Sequence, residues 1–308
     1  MTNLIVVGDE PFRLAIRLPA SGMPDIVSFG PHRPDAASTL ASIERSSRIN
    51  GMDVPVPSAV LLPTGGMGFF GWPAIAGHRQ GRDFVLHFGD WEVDRSDGGA
   101  VLKSHDRTAA IDLDIEIRAH AGGVLSMASR IRNVGDSDYQ LDRCAAGSFL
   151  IDEGNVALQS FTGMWGREFQ TRSELLGNGT WLQESRRGRT SHDRFPVVFV
   201  ESDRHAFGLA LGWSGNHQIA IDRLDDGRRL AHVGELFEPG EMSLAPGEAY
   251  ESPRAYAGAD AAAFHAFLRE ELLSWPGGSM APRPVMLNTW EGNYFDHRIY
   301  SLEAQASA

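Results

Sequence analysis

Residues 66–71 read Gly66-Met67-Gly68-Phe69-Phe70-Gly71 and satisfy the letters of the dinucleotide-binding fingerprint G-x-G-x-x-G. That chemistry needs a helix to begin inside the motif, so that its first amides face a pyrophosphate. Trp72-Pro73 interrupts any such helix, and the run reads instead as a Gly-rich loop displaying two phenylalanines and a tryptophan. Such rings can cover the end of a sandwich, meet another subunit or contact a sugar. The eleven histidines include no HxH or HExxH pair, and the one cysteine, Cys144, offers no thiolate cluster, so no metal site is expected. His192 lies in Ser185-Arg186-Arg187-Gly188-Arg189-Thr190-Ser191-His192, where hydrogen bonds that pin a loop are a simpler reading than a ligand contact. Asp225-Asp226 has the composition of a glycosidase carboxylate pair. Its strand-like flanks and the following Gly227 make it the tip of a hairpin turn, with both carboxylates in water.

The elements that must position these residues are short alternating segments punctuated by Gly, Asp and Asn, the period-two signature of half-buried strands. The clearest is 110–118, where Ile111, Leu113, Ile115 and Ile117 share one face. A partner over 124–132 follows through Ala121-Gly122-Gly123, and further strands are expected over 197–201, 206–213, 218–224 and 228–233. Antiparallel sheets result. One helix is expected over 261–274, capped by Asp260, with Phe264, Phe267, Leu268 and Leu272 on one side. Residues 276–284 hold three prolines and two glycines and read as a linker. A new unit should open beyond it with a short apolar strand over 283–288 and end in a helix over 301–308.

The 34 glycines and 16 prolines enlarge the share of turns in a chain of 308 residues. The net charge of −12, from 28 basic and 40 acidic residues, argues against nucleic acid and anionic lipid as partners. No run approaches the roughly 18 apolar residues of a membrane span. A single cysteine closes no intrachain disulfide, and the N-terminal residues carry no basic lead, so the expected compartment is the cytoplasm.

A family resemblance rests on five ordered motifs. The run 283–296, Arg283-Pro284-Val285-Met286-Leu287-Asn288-Thr289-Trp290-Glu291-Gly292-Asn293-Tyr294-Phe295-Asp296, resembles the segment that opens the catalytic barrel of glycoside hydrolase family thirty-six α-galactosidases. Upstream, Gly163-Met164-Trp165-Gly166-Arg167-Glu168 resembles the family's Gly-x-Trp-x-Arg-Glu, and Arg187-Gly188-Arg189-Thr190-Ser191-His192 its Arg-Gly-x-Ser-Ser-His. Ser214-Gly215-Asn216 resembles its Ser-Gly-Asn, and Leu244-Ala245-Pro246-Gly247-Glu248 its Leu-x-Pro-Gly-Glu before a proline, here Pro253. There are departures. Arg194-Phe195-Pro196 replaces Asn-Pro-Phe, and where many relatives carry Asp-Phe-Arg-Glu this chain has Phe69-Phe70-Gly71-Trp72, keeping Phe70 and losing the Arg to Gly71.

The resemblance implies a mostly β fold: an antiparallel β-supersandwich with one or two helices over 1–275, a linker over 276–284, and the first strand and helix of a truncated (β/α)8 barrel over 285–308. It implies retaining hydrolysis of terminal α-D-galactosides by the parent enzyme, with no cofactor, and assembly into homo-oligomers, in which the family's Phe and Arg help complete a neighbouring subunit's pocket. Substrate binding falls to Asn288, Trp290 and Glu291, and from the aromatic loop to Phe70. A complete barrel takes about 200 residues or more. Only 24 residues follow Pro284, so the catalytic aspartates are expected to be missing and the chain itself inactive. Two other classes stay open. One is a non-catalytic carbohydrate-binding or assembly sandwich using Phe69, Phe70, Trp72 or Trp91. The other is aldose mutarotation, which needs a Glu opposite His217 or His192 that spacing does not supply.

Overall fold

A computed structural model of the chain describes residues 4–9, 12–31, 59–69, 71–83, 85–190 and 193–308. The described strands, in chain order, are β1 (Leu4–Val7), β2 (Phe12–Arg17), β3 (Asp25–Pro31), β4 (Ile75–His78), β5 (Glu92–Ser96), β6 (Gly99–Asp106) and β7 (Ile111–His120). They continue with β8 (Val124–Asn133), β9 (Tyr139–Ile151), β10 (Val156–Met164), β11 (Arg167–Leu175), β12 (Thr180–Ser185) and β13 (Asp193–Ser202). The last are β14 (Ala206–Leu211), β15 (His217–Arg223), β16 (Arg229–Glu235), β17 (Ser243–Leu244), β18 (Ala249–Glu251) and β19 (Ala255–Gly258). The helices are α1 (Ala261–Phe267), α2 (Trp290–Asn293) and α3 (Ile299–Ser307). None is long and apolar enough to cross a membrane. Chain contacts divide the protein into two compact units, Met1–Phe267 and Leu268–Ala308, and the Pro/Gly stretch 276–284 lies in the second.

All named strand pairs in the first unit are antiparallel. The largest sheet runs β11-β10-β13-β14-β19-β8-β7-β6-β5, a second runs β12-β15-β16-β9-β17, and β1-β2-β3 form a third. Ile111, Leu113, Ile115 and Ile117 bury one face of β7 as their spacing requires, and the Ala121-Gly122-Gly123 connection sets Ala119 opposite Leu125. Gly147 of β9 packs directly on Met127 of β8 between the first two sheets: a Cβ there would lie 2.7 Å from the Met127 Sδ, so only glycine fits. Phe29 of β3 ties the third sheet to both others, its ring 5.2 Å from those of Phe12 and Phe207 and 5.4 Å from that of Phe149.

Two elements depart from their sequence patterns. The helix expected over 261–274 starts as expected, with the Ala263 amide donating to Asp260 Oδ1 at 2.8 Å and Phe264 and Phe267 buried. After Phe267 it loosens into a π-turn over Leu268–Leu272, and both of those leucines are exposed. The strand expected over 283–288 does not form; Val285, Met286 and Leu287 lie exposed in irregular chain. A parallel barrel strand needs a neighbouring ladder to satisfy its backbone and cover its faces, and the second unit contains no strand among the described residues. The helical end does form, as α3.

Phe29→Ala removes the ring that joins the three sheets. We expect a loss of about 3–5 kcal/mol of unfolding free energy, read from urea melts of the first unit's tryptophan fluorescence; a loss below about 1 kcal/mol would mean that the third sheet is not part of that core.

Candidate functional site

The second unit gathers three of the residues expected to bind sugar into one turn. Asn288 Oδ1 accepts the Trp290 amide at 3.0 Å while its Nδ2 donates to Glu291 Oε2 at 3.1 Å, so one amide orients both neighbours. Trp290 then stands edge-to-face with Tyr294 at 5.6 Å and Phe295 at 5.1 Å. The turn is braced from α3, where Gln305 Nε2 donates to Asn293 Oδ1 at 2.8 Å. All of these rings are exposed. The result is an aromatic cluster beside a carboxylate and a carboxamide, the pairing of apolar faces and hydrogen-bonding groups that a sugar recognises. Phe70, the fourth expected residue, lies outside the described residues, as does His192.

In the first unit the aromatic loop is turned inward. Phe69 is buried and meets the His232 ring edge-on at 6.0 Å, and Arg143 lies over the Trp72 ring at 4.2 Å. Trp91 donates its indole N–H to Gly22 O at 2.8 Å. The described rings of the loop therefore pack against the sandwich instead of standing free as stacking platforms. Gly71 is required by this packing, because a Cβ would sit 2.6 Å from Phe69 and 2.8 Å from the Asp222 Cγ.

Sequence reasoning missed what lies under that loop. Asp222 of β15 accepts the Trp72 amide at 3.0 Å and the Thr180 hydroxyl, and its Oδ2 lies 3.4 Å from His232 Nε2; His232 Nδ1 is in turn 2.8 Å from Ser148 Oγ. Ser, His and Asp in line suggest a hydrolytic triad. The line is sealed: Ser148, His232 and Asp222 are 0%, 3% and 2% exposed, so no substrate reaches the hydroxyl. It is structural. No local spacing announces it, because the three residues come from β9, β16 and β15.

Asp225-Asp226-Gly227 forms the expected turn, with Gly227 at φ 89° and Asp225 exposed, but the Asp226 carboxylate is part-buried instead of standing in water, because it pairs with Arg228 at 2.6 Å. The β15–β16 register places Glu235 opposite His217. Spacing along the chain does not show this opposition; hairpin register does. Yet His217 is fully buried and Glu235 accepts the Tyr250 hydroxyl at 2.8 Å, which leaves no open face for an aldose. Two distant motifs also touch, the Gly188 amide donating to Asn216 Oδ1 at 2.9 Å. Among the described residues no cluster of three or more His, Cys, Asp or Glu could hold a metal.

Residues 23–245 match the glycosyl hydrolase family 36 N-terminal domain. The chain belongs to this family. The α-galactosidase of Escherichia coli is 34% identical over 87% of this family 36 chain and 40% of its own length. A probable α-galactosidase G of Emericella nidulans is 28% identical over 59% of this chain and 27% of its own. An α-galactosidase of Geobacillus stearothermophilus, solved with raffinose, superposes with a TM-score of 0.84 at 19% identity over 98% of this chain and 48% of its own. The chain thus spans less than half the length of each of these three relatives, and the mostly β antiparallel fold implied by the motifs stands.

Burial holds the imidazoles of His217 and His232 below their ordinary value of 6.5; the Gly215 carbonyl opposes this at His217 and Asp222 at His232. The unfolded chain therefore binds more protons than the folded one as pH falls through about 6.5, so stability falls with it. Asp25, Asp114 and Glu235 are raised by burial and act with the opposite sign, nearer the carboxylate range. We expect the urea midpoint to drop between about pH 7.5 and 5.5, and the drop to shrink in His217→Gln. An unchanged pH slope in that variant would remove His217 from the account.

Proposed function

We propose that this chain is the N-terminal part of a retaining α-galactosidase that removes terminal α-D-galactosyl groups, and that it does not hydrolyse them by itself. Family membership carries the reading, supported by α-galactosidase relatives of which the chain spans 40% or less and by a solved relative holding raffinose. Retaining hydrolysis needs a nucleophilic carboxylate and an acid about 5–5.5 Å apart. The family resemblance assigns both to late barrel strands, beyond the segment the chain spans.

In the complete enzyme Trp290 forms a wall of the galactose pocket, with Asn288 and Glu291 bonding sugar hydroxyls and holding the indole in place, and Phe70 adding an aromatic contact. The Asn288 bridge to both neighbours supports this arrangement. Assembly with further copies is part of the same reading. It is supported by the β10–β11 hairpin, where Met164, Trp165 and Phe169 are exposed. A cytoplasmic setting is supported by the single, buried, unbridged Cys144, whose thiol burial pushes up to about 12.

The purified 308-residue chain should show no turnover of nitrophenyl α-galactoside above a mock preparation; clear turnover would overturn the assignment of both carboxylates elsewhere. In a full-length parent, Trp290→Ala should lower kcat/KM roughly tenfold or more, since burying a large apolar side chain is worth about 1.5–3 kcal/mol. Unchanged kinetics would remove Trp290 from the pocket.

A further inference from the structure

At the end of the sandwich that carries the β15–β16 turn, an open cavity of about 790 Å3 is walled by the loops that follow β9, β11, β13 and β15. Its charges are unevenly satisfied. Arg204 pairs with Glu153 at 3.4 Å, Asp226 pairs with Arg228, and Asp203 accepts the Asn155 amide at 3.2 Å. Two arginines on the same wall have no carboxylate partner among the described residues. Arg223 donates only to Asn178 Oδ1, and Arg229 donates through Nη1 to Gly154 O and through Nη2 to Leu176 O, each at 3.2 Å. Arg229 is 4% exposed and its Nε has no hydrogen-bond partner.

Register makes the arrangement costly. Arg223 and Arg229 are direct cross-strand partners, so they share a face with Cβ atoms roughly 4.5–5.5 Å apart, and like charges so placed repel. Burial, and after it Arg223, pulls the Arg229 guanidinium below its ordinary value. A guanidinium offers five N–H donors in a planar fork. Arg229 spends two on neutral carbonyls and Arg223 one on a neutral amide, so both guanidiniums keep spare donors. Of the carboxylates on the same cavity, Glu153 and Asp226 are paired with Arg204 and Arg228, Asp203 holds the Asn155 amide, and none is paired with Arg223 or Arg229 among the described residues. The overall charge of −12 does not change this locally, because exposed charges beyond about 8 Å are screened at physiological salt.

We propose that this cavity binds a small oxyanion, a phosphate or carboxylate group, held between Arg223 and Arg229. The anion converts the cross-strand repulsion into two charge-assisted contacts of the kind arginine forks make with planar or tetrahedral oxyanions. The cavity lies within the 300–1,000 Å3 range typical of small-molecule sites, so the group can arrive free or on a monosaccharide. Asn155 and Asn178, on the same wall, supply neutral donors and acceptors for hydroxyls.

The test is calorimetric titration of the 308-residue chain with inorganic phosphate and, separately, with sodium galacturonate, against sodium chloride at matched ionic strength. Saturable one-site binding of either anion is expected. Preference for phosphate would identify a tetrahedral group, and preference for galacturonate a carboxylate on a sugar. Arg223 is exposed and holds no backbone, so Arg223→Gln keeps the fold; it should weaken binding roughly tenfold. Arg223→Glu should abolish binding and raise the thermal midpoint, because the new carboxylate pairs with Arg229 across the strands. Failure of both anions to saturate, or an affinity unchanged in Arg223→Gln, would overturn the proposal.

Discussion

The buried carboxylate of Asp222 is the constraint around which the first unit is organised. An ionised carboxylate taken out of water without partners is expensive, and here the cost is met by groups from separate parts of the chain: the Trp72 amide, the Thr180 hydroxyl of β12 and the His232 ring of β16. Burial alone would raise this acid, and the His232, Thr180 and Trp72 contacts together bring it below its ordinary value of 3.8. The loop that carries Phe69 and Trp72 is thereby fastened to the sheet, and Gly71 has to be glycine where it crosses the acid.

Fastening that loop decides what the sandwich can do. With Phe69 buried, Arg143 laid over Trp72 and the Ser148-His232-Asp222 line sealed, the first unit presents structure where a sequence reader could see chemistry. An open polar cavity lies elsewhere, at the end of the sandwich that carries Arg223 and Arg229. In the second unit the aromatic turn at 288–295 is held by short-range hydrogen bonds, with Gln305 reaching back from the last helix. The two units follow different physics: long-range pairing and burial in the first, local turn chemistry in the second.

Much of this was legible. Ile111, Leu113, Ile115 and Ile117 announce a strand with one buried face, and Asp225-Asp226-Gly227 announces its turn, because a single neighbour and a single solvent layer produce both signals. β9 was harder. From Cys144 to Ile151 every residue is buried, so the alternation that marks a strand vanishes where both faces are covered. The 283–288 segment misleads in the opposite way, for it has the apolar run of a buried strand and no ladder to join. Within the candidate site, the Asn288-to-Glu291 turn could be read from four consecutive residues. The His217–Glu235 and Arg223–Arg229 oppositions depend on hairpin register, and the Asp222 network on three-dimensional convergence, which spacing along the chain does not encode.

Hydrogen exchange on Asp222→Asn tests the organising role of this acid most directly. Asparagine keeps the size, and with its oxygen on the Trp72 amide its NH2 can donate to the Thr180 hydroxyl oxygen, so what it removes is the negative charge that the amide, the hydroxyl and the His232 ring face. Bonds to a charged acceptor exceed neutral ones by about 1–1.5 kcal/mol. The account predicts that amides of residues 64–76 and 180–185 exchange roughly tenfold faster or more, while those of β7 and β8 keep their protection. Protection unchanged in 64–76 would contradict it, and would mean that the aromatic loop is held by packing alone.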